Sequence, residues 1–380
     1  MSAATVDLNA FVAEIDAPFA SFLSSCVRCG LCAQACLFYT ETGDPKYTPI
    51  HKLEPVRKIW RQHYTPWGRL ASWLGLGEKI DAAQLEAWQE LLYDSCTLCG
   101  RCSLVCPVGN DIAYMIRKAR EGMVAAGLAP DDLVGAAQMA LEVGSPMGVT
   151  LKTLQAQIRH VEKDTGLTVP VDVAEADYML LLSSMEVVNY PEFIAAIVRL
   201  FDHAGVSWTL SSDCFEATNV GIQIGSRDVA RKLVSRVVDA AEKLRVRHVI
   251  SPECGHAYSA IRWEGPNLIG RKYRFEVVHI LELLDTLRAN GRLRFADRDA
   301  RRLTFHDPCQ IVRRGGVVAQ PRELLGAVTE TFVEMEDSGL YNWCCGGGGG
   351  VSRIERAHDL KTAAFKIKKR QIEGTGVKTV

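Results

Sequence analysis

A surplus of charge, long apolar runs and a leader-like start are what this sequence has little of. Its 44 Lys and Arg stand against 45 Asp and Glu, a net charge of −1. With no long basic run, nucleic acid is excluded as the main partner. The longest apolar stretches, at 178–182 and 193–198, fall far short of the ~20 residues that span a bilayer. The first twenty residues carry Asp7, Glu14 and Asp16 and do not read as a secretory signal. A cytoplasmic chain is expected, peripheral on the inner face of the cell membrane only through partner subunits. Its glycine run at 346–350 is not followed by Gly-Lys-Ser/Thr, which excludes a phosphate loop. The chain is rich in cysteine, with thirteen. In a cytosolic chain, clustered cysteines point to metal more often than to disulfides.

Eight of them form two copies of one pattern. Cys26, Cys29, Cys32 and Cys36 are spaced C-x2-C-x2-C-x3-C, and so are Cys96, Cys99, Cys102 and Cys106. This is the spacing of bacterial ferredoxins, in which three cysteines of a run wrap one [4Fe–4S] cluster and the fourth reaches the other. Cys26, Cys29, Cys32 and Cys106 then hold one cluster, and Cys96, Cys99, Cys102 and Cys36 the second. The alternative, two structural zinc sites, draws its ligands from separated pairs. Leu37 follows Cys36, where the usual pattern has proline. About sixty residues separate the motifs, too many for a small ferredoxin, and the helical periodicities at 51–63, 82–93 and 111–127 predict a mainly helical domain. Trp60, Trp67, Trp73 and Trp88 read as core or interface rather than cofactor contacts.

The remainder alternates strand and helix. Strands are predicted at 177–184, 207–210, 247–250, 302–305 and 332–335, and helices at 191–204, 226–244, 277–289 and 321–330. Such alternation argues for α/β units with parallel strands. Cysteines fall just after strands, where open α/β sheets bind ligands. Cys254 follows one strand and Cys309 another, and the adjacent Cys344 and Cys345 precede five glycines. A vicinal disulfide strains its peptide, whereas both thiols can ligate one metal assembly if glycine permits the bend. Ser352-Arg-Ile-Glu355 has the capping-box pattern and predicts a helix over 352–373, its N-terminus directed at the thiolates. The plain alternative is a flexible loop with two buried thiols.

The order of elements resembles the tandem CCG (cysteine-rich) domains of heterodisulfide reductase and its relatives, and the N-terminal part resembles the α-helical ferredoxin domains of their iron–sulfur subunits. Ser251-Pro-Glu-Cys-Gly-His256, Phe215-Glu-Ala-Thr-Asn219 and Asn342-Trp-Cys-Cys-Gly346 are most similar to the DsrK/Tmc/Hmc group of membrane redox complexes. The expected fold is α+β multidomain: an α-helical ferredoxin domain with two [4Fe–4S] motifs (1–127), a connector (128–176), a degenerate first CCG repeat (177–291) and a second repeat (292–380). The second repeat's closing Cys-x-x-Cys falls past Val380, and a full chain is expected to continue into it.

The resemblance implies a third, noncanonical [4Fe–4S] cluster in the CCG region, held by Cys309, Cys344 and Cys345, with Cys254 as a further ligand and Gly346, Gly347 and Gly348 letting the backbone approach it. It implies electrons arriving from a membrane cytochrome b-type subunit and acting on a disulfide or trisulfide, as on a DsrC-like protein; a multihaem cytochrome is a further implied partner. His306 and His256 are candidate proton donors to a leaving thiolate; a loop-fixing hydrogen bond is the plain reading of each. A heterodisulfide reductase-like oxidoreductase is therefore expected, with a pure electron relay as the alternative.

Overall fold

The computed structural model describes residues 8–76 and 82–380. By their internal contacts the residues form two bodies. The first comprises Met1–Val134, Ile222–Ser226 and Glu336–Gly374, and the second Gly135–Gly221, Arg227–Met335 and Thr375–Val380. Residues 336–374 of the expected second repeat thus cluster with the N-terminal segment. Among the described residues, no helix is long and apolar enough to cross a membrane.

All described elements of the first body are helices and turns. The helix Ile112–Ala125 is its axis, and Asp111 caps it by accepting the Tyr114 N–H at 3.1 Å. Ile112, Met115, Ile116, Ala119 and Met123 form its buried stripe, at the spacing of one helical face. Gly122 lets the first helix, Leu8–Ala13, come close, since a Cβ there would lie 2.7 Å from the Phe11 ring. The helix Pro49–Tyr64 buries Leu53, Val56 and Ile59, and Lys52 with them. The predicted helix over 352–373 begins later, at His358. The capping box does not form. Ser352 Oγ instead donates to the Gly347 carbonyl at 2.8 Å, and the Glu355 N–H goes to Asp132 Oδ2 at 3.2 Å.

The second body holds the strands. β1 (Tyr178–Leu180), β2 (Trp208–Thr209), β3 (His248–Ser251) and β4 (Glu276–His279) form a parallel sheet in the order β2-β1-β3-β4. β5 (Asp299–Leu303) and β6 (Thr329–Phe332) form a second parallel pair, and Leu303 also bridges Thr379. Crossover helices such as Pro191–His203 and Arg227–Leu244 join the parallel strands, as this topology requires. Three expectations are corrected. The helix expected at 277–289 starts at Ile280, because the β-branched Val277-Val278 pair lies in β4. The strand predicted at 332–335 lies earlier, at Thr329–Phe332. The connector holds two helices, Asp131–Val143, begun by the acidic pair Asp131-Asp132, and Leu151–Thr165.

His279 closes β4 and caps the following helix. Its Nδ1 accepts the Leu281 N–H at 3.3 Å, while Nε2 is buried without a partner. Burial lowers its pKa from 6.5 to about 4. Between those values the unfolded chain binds a proton that the folded chain refuses. This contribution is therefore full above pH 6.5 and is lost as pH falls towards 4. Glu186 and Glu216 act oppositely, because burial raises both to about 7 and they cost stability as pH rises from 4.5 through 7. The comparison of wild type with His279→Gln isolates the histidine. The Tm difference between them should move by the equivalent of about 2–3 kcal/mol in the variant's favour between pH 7 and pH 4.5; a pH-independent difference would refute the assignment.

Candidate metal centres

The two ferredoxin-type motifs share one backbone trace. Arg28 and Leu98, each just before the second cysteine, have φ of 58° and 56°, and Gly30 and Gly100, just after it, have φ of 83° and 77°. Left-handed non-glycine residues cost on the order of 1 kcal/mol or more. The repeated strain turns each loop so that its cysteines converge.

The cysteines gather in the two sets that the spacing predicts. Cys26, Cys29, Cys32 and Cys106 line one cavity, and Cys36, Cys96, Cys99 and Cys102 another. In the first set the Cys32 thiol is pushed up to about 11, by burial and then by the charges of Cys26, Cys29 and Cys106. In the second, Cys102 is raised well above its ordinary value by burial and then by Cys99, Cys96 and Cys36. Four thiolates crowded together repel one another unless bound cations stand among them. Among the described residues, no group of three or more Cys, His, Asp or Glu is arranged to hold a single metal ion. The thiols stand around cavities instead, which suits a multi-iron cluster better than one zinc ion. None of the thirteen cysteines is in a disulfide.

The quartets differ in surroundings. Cys29 is exposed, whereas the second quartet is flanked by two buried cations. Lys52 Nζ donates to Cys36 Sγ at 3.4 Å and also to the Ser95 carbonyl. Arg120, with no exposed surface, donates to the carbonyls of Leu92 at 2.9 Å, Cys96 at 2.6 Å and Gly349 at 2.7 Å, and also to that of Gln223. Burial raises the Cys96 pKa, and the charges of Lys52 and Arg120 oppose that rise.

The Cys-Cys-Gly loop is built onto this second motif. The Arg101 guanidinium lies 3.5 Å over the Trp343 ring, and its Nε donates to the Tyr341 carbonyl at 2.9 Å. The Trp343 indole N–H donates to Asp337 at 2.9 Å. Cys344 is buried, and its Sγ donates to Thr97 Oγ1 at 3.4 Å while accepting the Gly346 N–H at 3.4 Å. Cys345 is half-buried. Gly346, Gly349 and Gly350 have φ of 89°, 62° and 90°, where side chains are strained. A Cβ on Gly349 would also lie 2.6 Å from the Thr97 carbonyl carbon. Gly347 packs tightly instead, 3.0 Å from Ser352 Oγ at the Cβ position.

Cys309 and Cys254 belong to the second body. Cys309 is buried in a turn in which the Pro308 carbonyl accepts the N–H groups of Ile311 and Val312, at 3.0 and 2.8 Å. Cys254 follows β3 and precedes the short helix Gly255–Ser259. The two loops touch, since a Cβ on Gly255 would lie 2.7 Å from Gln310 Cβ, and Ser259 Oγ donates to the Gln310 carbonyl at 3.2 Å. Cys254 is pushed up to about 12 by burial and the charge of Glu253, and Cys214 to about 12 by burial and the charge of Glu216. His306 Nδ1 is buried without a partner, and His256 is buried. Asp307 is held bidentately by Arg322, at 2.8 Å to each oxygen, and so anchors the turn that carries Cys309.

Sequence reasoning missed Lys52, Thr97, Arg101 and Arg120. For Lys52 and Arg120 a signal was present: both fall on the apolar face of an amphipathic helix, and a cation there requires anionic or carbonyl partners.

Comparison with known proteins agrees with this geometry. A model described as a 4Fe–4S dicluster domain matches residues 22–110, and one described as a cysteine-rich (CCG) domain matches 303–380. The chain is 27% identical to an Hdr-like menaquinol oxidoreductase iron–sulfur subunit of Archaeoglobus profundus, over 89% of this chain and 69% of the relative. It is 28% identical to a subunit of the dihydromethanophenazine:CoB–CoM heterodisulfide reductase of Methanosarcina barkeri, over 87% and 79%. It is 29% identical to an EtfAB:quinone oxidoreductase of Syntrophomonas wolfei, over 89% and 50%. No solved structure matches. The paired thiol quartets and the glycine-bent cysteine pair fall within the matched 4Fe–4S dicluster and CCG domains, and the chain is a CCG-domain iron–sulfur protein similar to heterodisulfide reductase-like subunits.

Proposed function

We propose that this iron–sulfur oxidoreductase subunit takes electrons from a quinol- or cytochrome-bearing membrane partner and delivers them to a disulfide or trisulfide at its CCG region, on a DsrC-like protein or a small thiol. The observation that carries this reading is the seating of Cys344 and its glycine loop on the Cys96–Cys102 motif. Bound clusters supply one-electron carriers at the two quartets and at the cysteine pair.

The chain's residues support an order of travel. Arg120 and Lys52 place buried positive charge beside the second quartet, which favours an added electron on a centre bound there. Thr97, which accepts from Cys344, and Arg120, which donates to the carbonyls of both Cys96 and Gly349, then join that quartet to the Cys-Cys-Gly loop. Reducing R–S–S–R to two thiols takes two electrons and two protons. His306, with its unpartnered buried Nδ1, is suited to hold one of those protons, beside a turn that the Asp307–Arg322 pair keeps rigid. The relative named EtfAB:quinone oxidoreductase favours a second reading, in which the cysteine pair only relays electrons to or from a redox partner.

Anaerobic titration of the oxidised holoprotein with a dithiol, followed by electron paramagnetic resonance, separates the two. A third centre whose signal changes on thiol addition, with about twelve irons per chain at roughly four per cluster, is the expected result. About twelve irons with no thiol-dependent signal would leave only the relay, and iron near eight would remove the third centre and both readings with it.

A further inference from the structure

Between the ferredoxin-type motifs lies a helix that nothing in this function uses. Pro66–Trp73 has no buried residue, yet it carries two tryptophans, Trp67 and Trp73, each 81% exposed. Leu70, Leu74 and Leu76 are exposed beside them. An isolated helix of this length is marginal in water. An apolar surface of this kind on one element marks an interaction site.

Gly68 fixes which way the helix faces. A Cβ there would lie 2.0 Å from the Arg61 carbonyl oxygen, so this side lies against the end of the helix Pro49–Tyr64. The Thr65 hydroxyl accepts the Gly68 N–H at 3.1 Å and holds the corner. At about 100° per residue, Trp67, Leu70, Trp73 and Leu74 fall on an arc of roughly 120° centred opposite Gly68. The apolar stripe therefore points away from the body.

Its charge identifies the occupant. Residues 56–76 contain Arg57, Lys58, Arg61 and Arg69 and no Asp or Glu, in a chain whose acids and bases otherwise balance. Lys58, Arg61 and Arg69 are exposed. A tryptophan- and leucine-bearing stripe with Arg69 on its own helix and Lys58 and Arg61 at the end of the preceding one has the composition of a helix lying in the headgroup region of an anionic bilayer. Its amphipathic rings sit at the boundary of lipid and water.

We propose that the corner Arg61–Leu76 docks directly on an anionic lipid surface, with Trp67, Leu70, Trp73 and Leu74 entering the acyl boundary and Arg61 and Arg69 facing headgroup phosphates. The helix Pro49–Tyr64 that carries this corner also lines the cavity of the first cysteine quartet, through Pro49, Leu53 and Arg57. Membrane contact thus falls on a helix that borders both quartets, the more exposed one included. The proposal does not depend on the identity of the substrate.

The test is flotation of the anaerobic holoprotein with protein-free vesicles of phosphatidylglycerol and phosphatidylethanolamine, against vesicles of phosphatidylcholine alone. Binding to the anionic vesicles, weakened by salt, is expected. The Trp67→Ser/Trp73→Ser pair and the Arg61→Glu/Arg69→Glu pair should each lower partitioning by about tenfold or more, with wild-type iron content in both. The arginine pair lies on the surface and keeps the test valid if the tryptophan pair misfolds. Failure of the wild type to bind anionic vesicles would overturn the proposal, as would binding indifferent to both variant pairs. Binding confined to vesicles that contain an integral membrane protein, and lost in the same variants, would also overturn it by assigning the face to a protein partner.

Discussion

Cys345→Ser is expected to remove one centre and leave two. Iron should fall from about twelve to about eight per chain, disulfide reduction should drop to the uncatalysed level, and the two N-terminal centres should remain reducible by dithionite. The expectation rests on placement. Cys345 is half-buried at the head of a loop whose Gly346 turns at a φ of 89°, and it lines neither quartet's cavity. Cys344→Ser should behave differently. Its sulfur meets Thr97 at 3.4 Å within the Cys96–Cys102 motif, so this change should also disturb the resonance of the second centre. Disulfide reduction at the wild-type rate in Cys345→Ser would defeat the assignment of the pair. Identical spectra for the two variants would defeat the Thr97 contact.

Loss of Arg120 should have the other large effect. Arg120→Leu would strand the carbonyls of Leu92, Cys96, Gln223 and Gly349, which now share one guanidinium. Each buried acceptor left without a donor costs about 1–3 kcal/mol. Together they approach the whole stability of a typical domain, about 5–15 kcal/mol. Arg120→Leu should therefore fail to accumulate as holoprotein, or accumulate without the iron of its second quartet. Arg120→Lys keeps the charge but lacks the planar fork, and it should recover iron binding while leaving Tm below that of wild type. Arg120→Leu with full iron and an unshifted Tm would show that the carbonyls find other donors.

Much of this molecule is legible in its residue order because clusters impose spacing. The C-x2-C-x2-C-x3-C runs foretell which four thiols converge, and Cys106 does join the first set and Cys36 the second. The strand–helix alternation likewise foretells parallel strands. What spacing cannot convey is long-range support. Ser352 and Glu355 have the pattern of a capping box, but Gly347 and Asp132 are better partners in the folded chain, so the helix starts at His358. Val277-Val278 fits a helical periodicity, yet β3 offers it a parallel ladder. Arg101 and Thr97 look like filler between ligands. Their roles appear only once residues 341–349 lie against them. Trp67 and Trp73 read equally well as core or interface until Gly68 shows which side of their helix is covered.

The loop that covers the second quartet has a consequence for biosynthesis. Thr97 precedes Cys344 by 247 residues. At about 5–20 residues per second, the ribosome needs roughly ten to fifty seconds to supply that length. For that interval the Cys96–Cys102 motif stands uncovered on the nascent chain, with its thiols accessible to an iron donor. Once residues 341–349 emerge, Arg120 takes up the Gly349 carbonyl and the loop packs on Thr97 and Arg101 of the same motif. Cluster loading thereby acquires a window set by translation, longer when synthesis is slow, and an iron-starved cell would seat the loop on the motif before its quartet is filled.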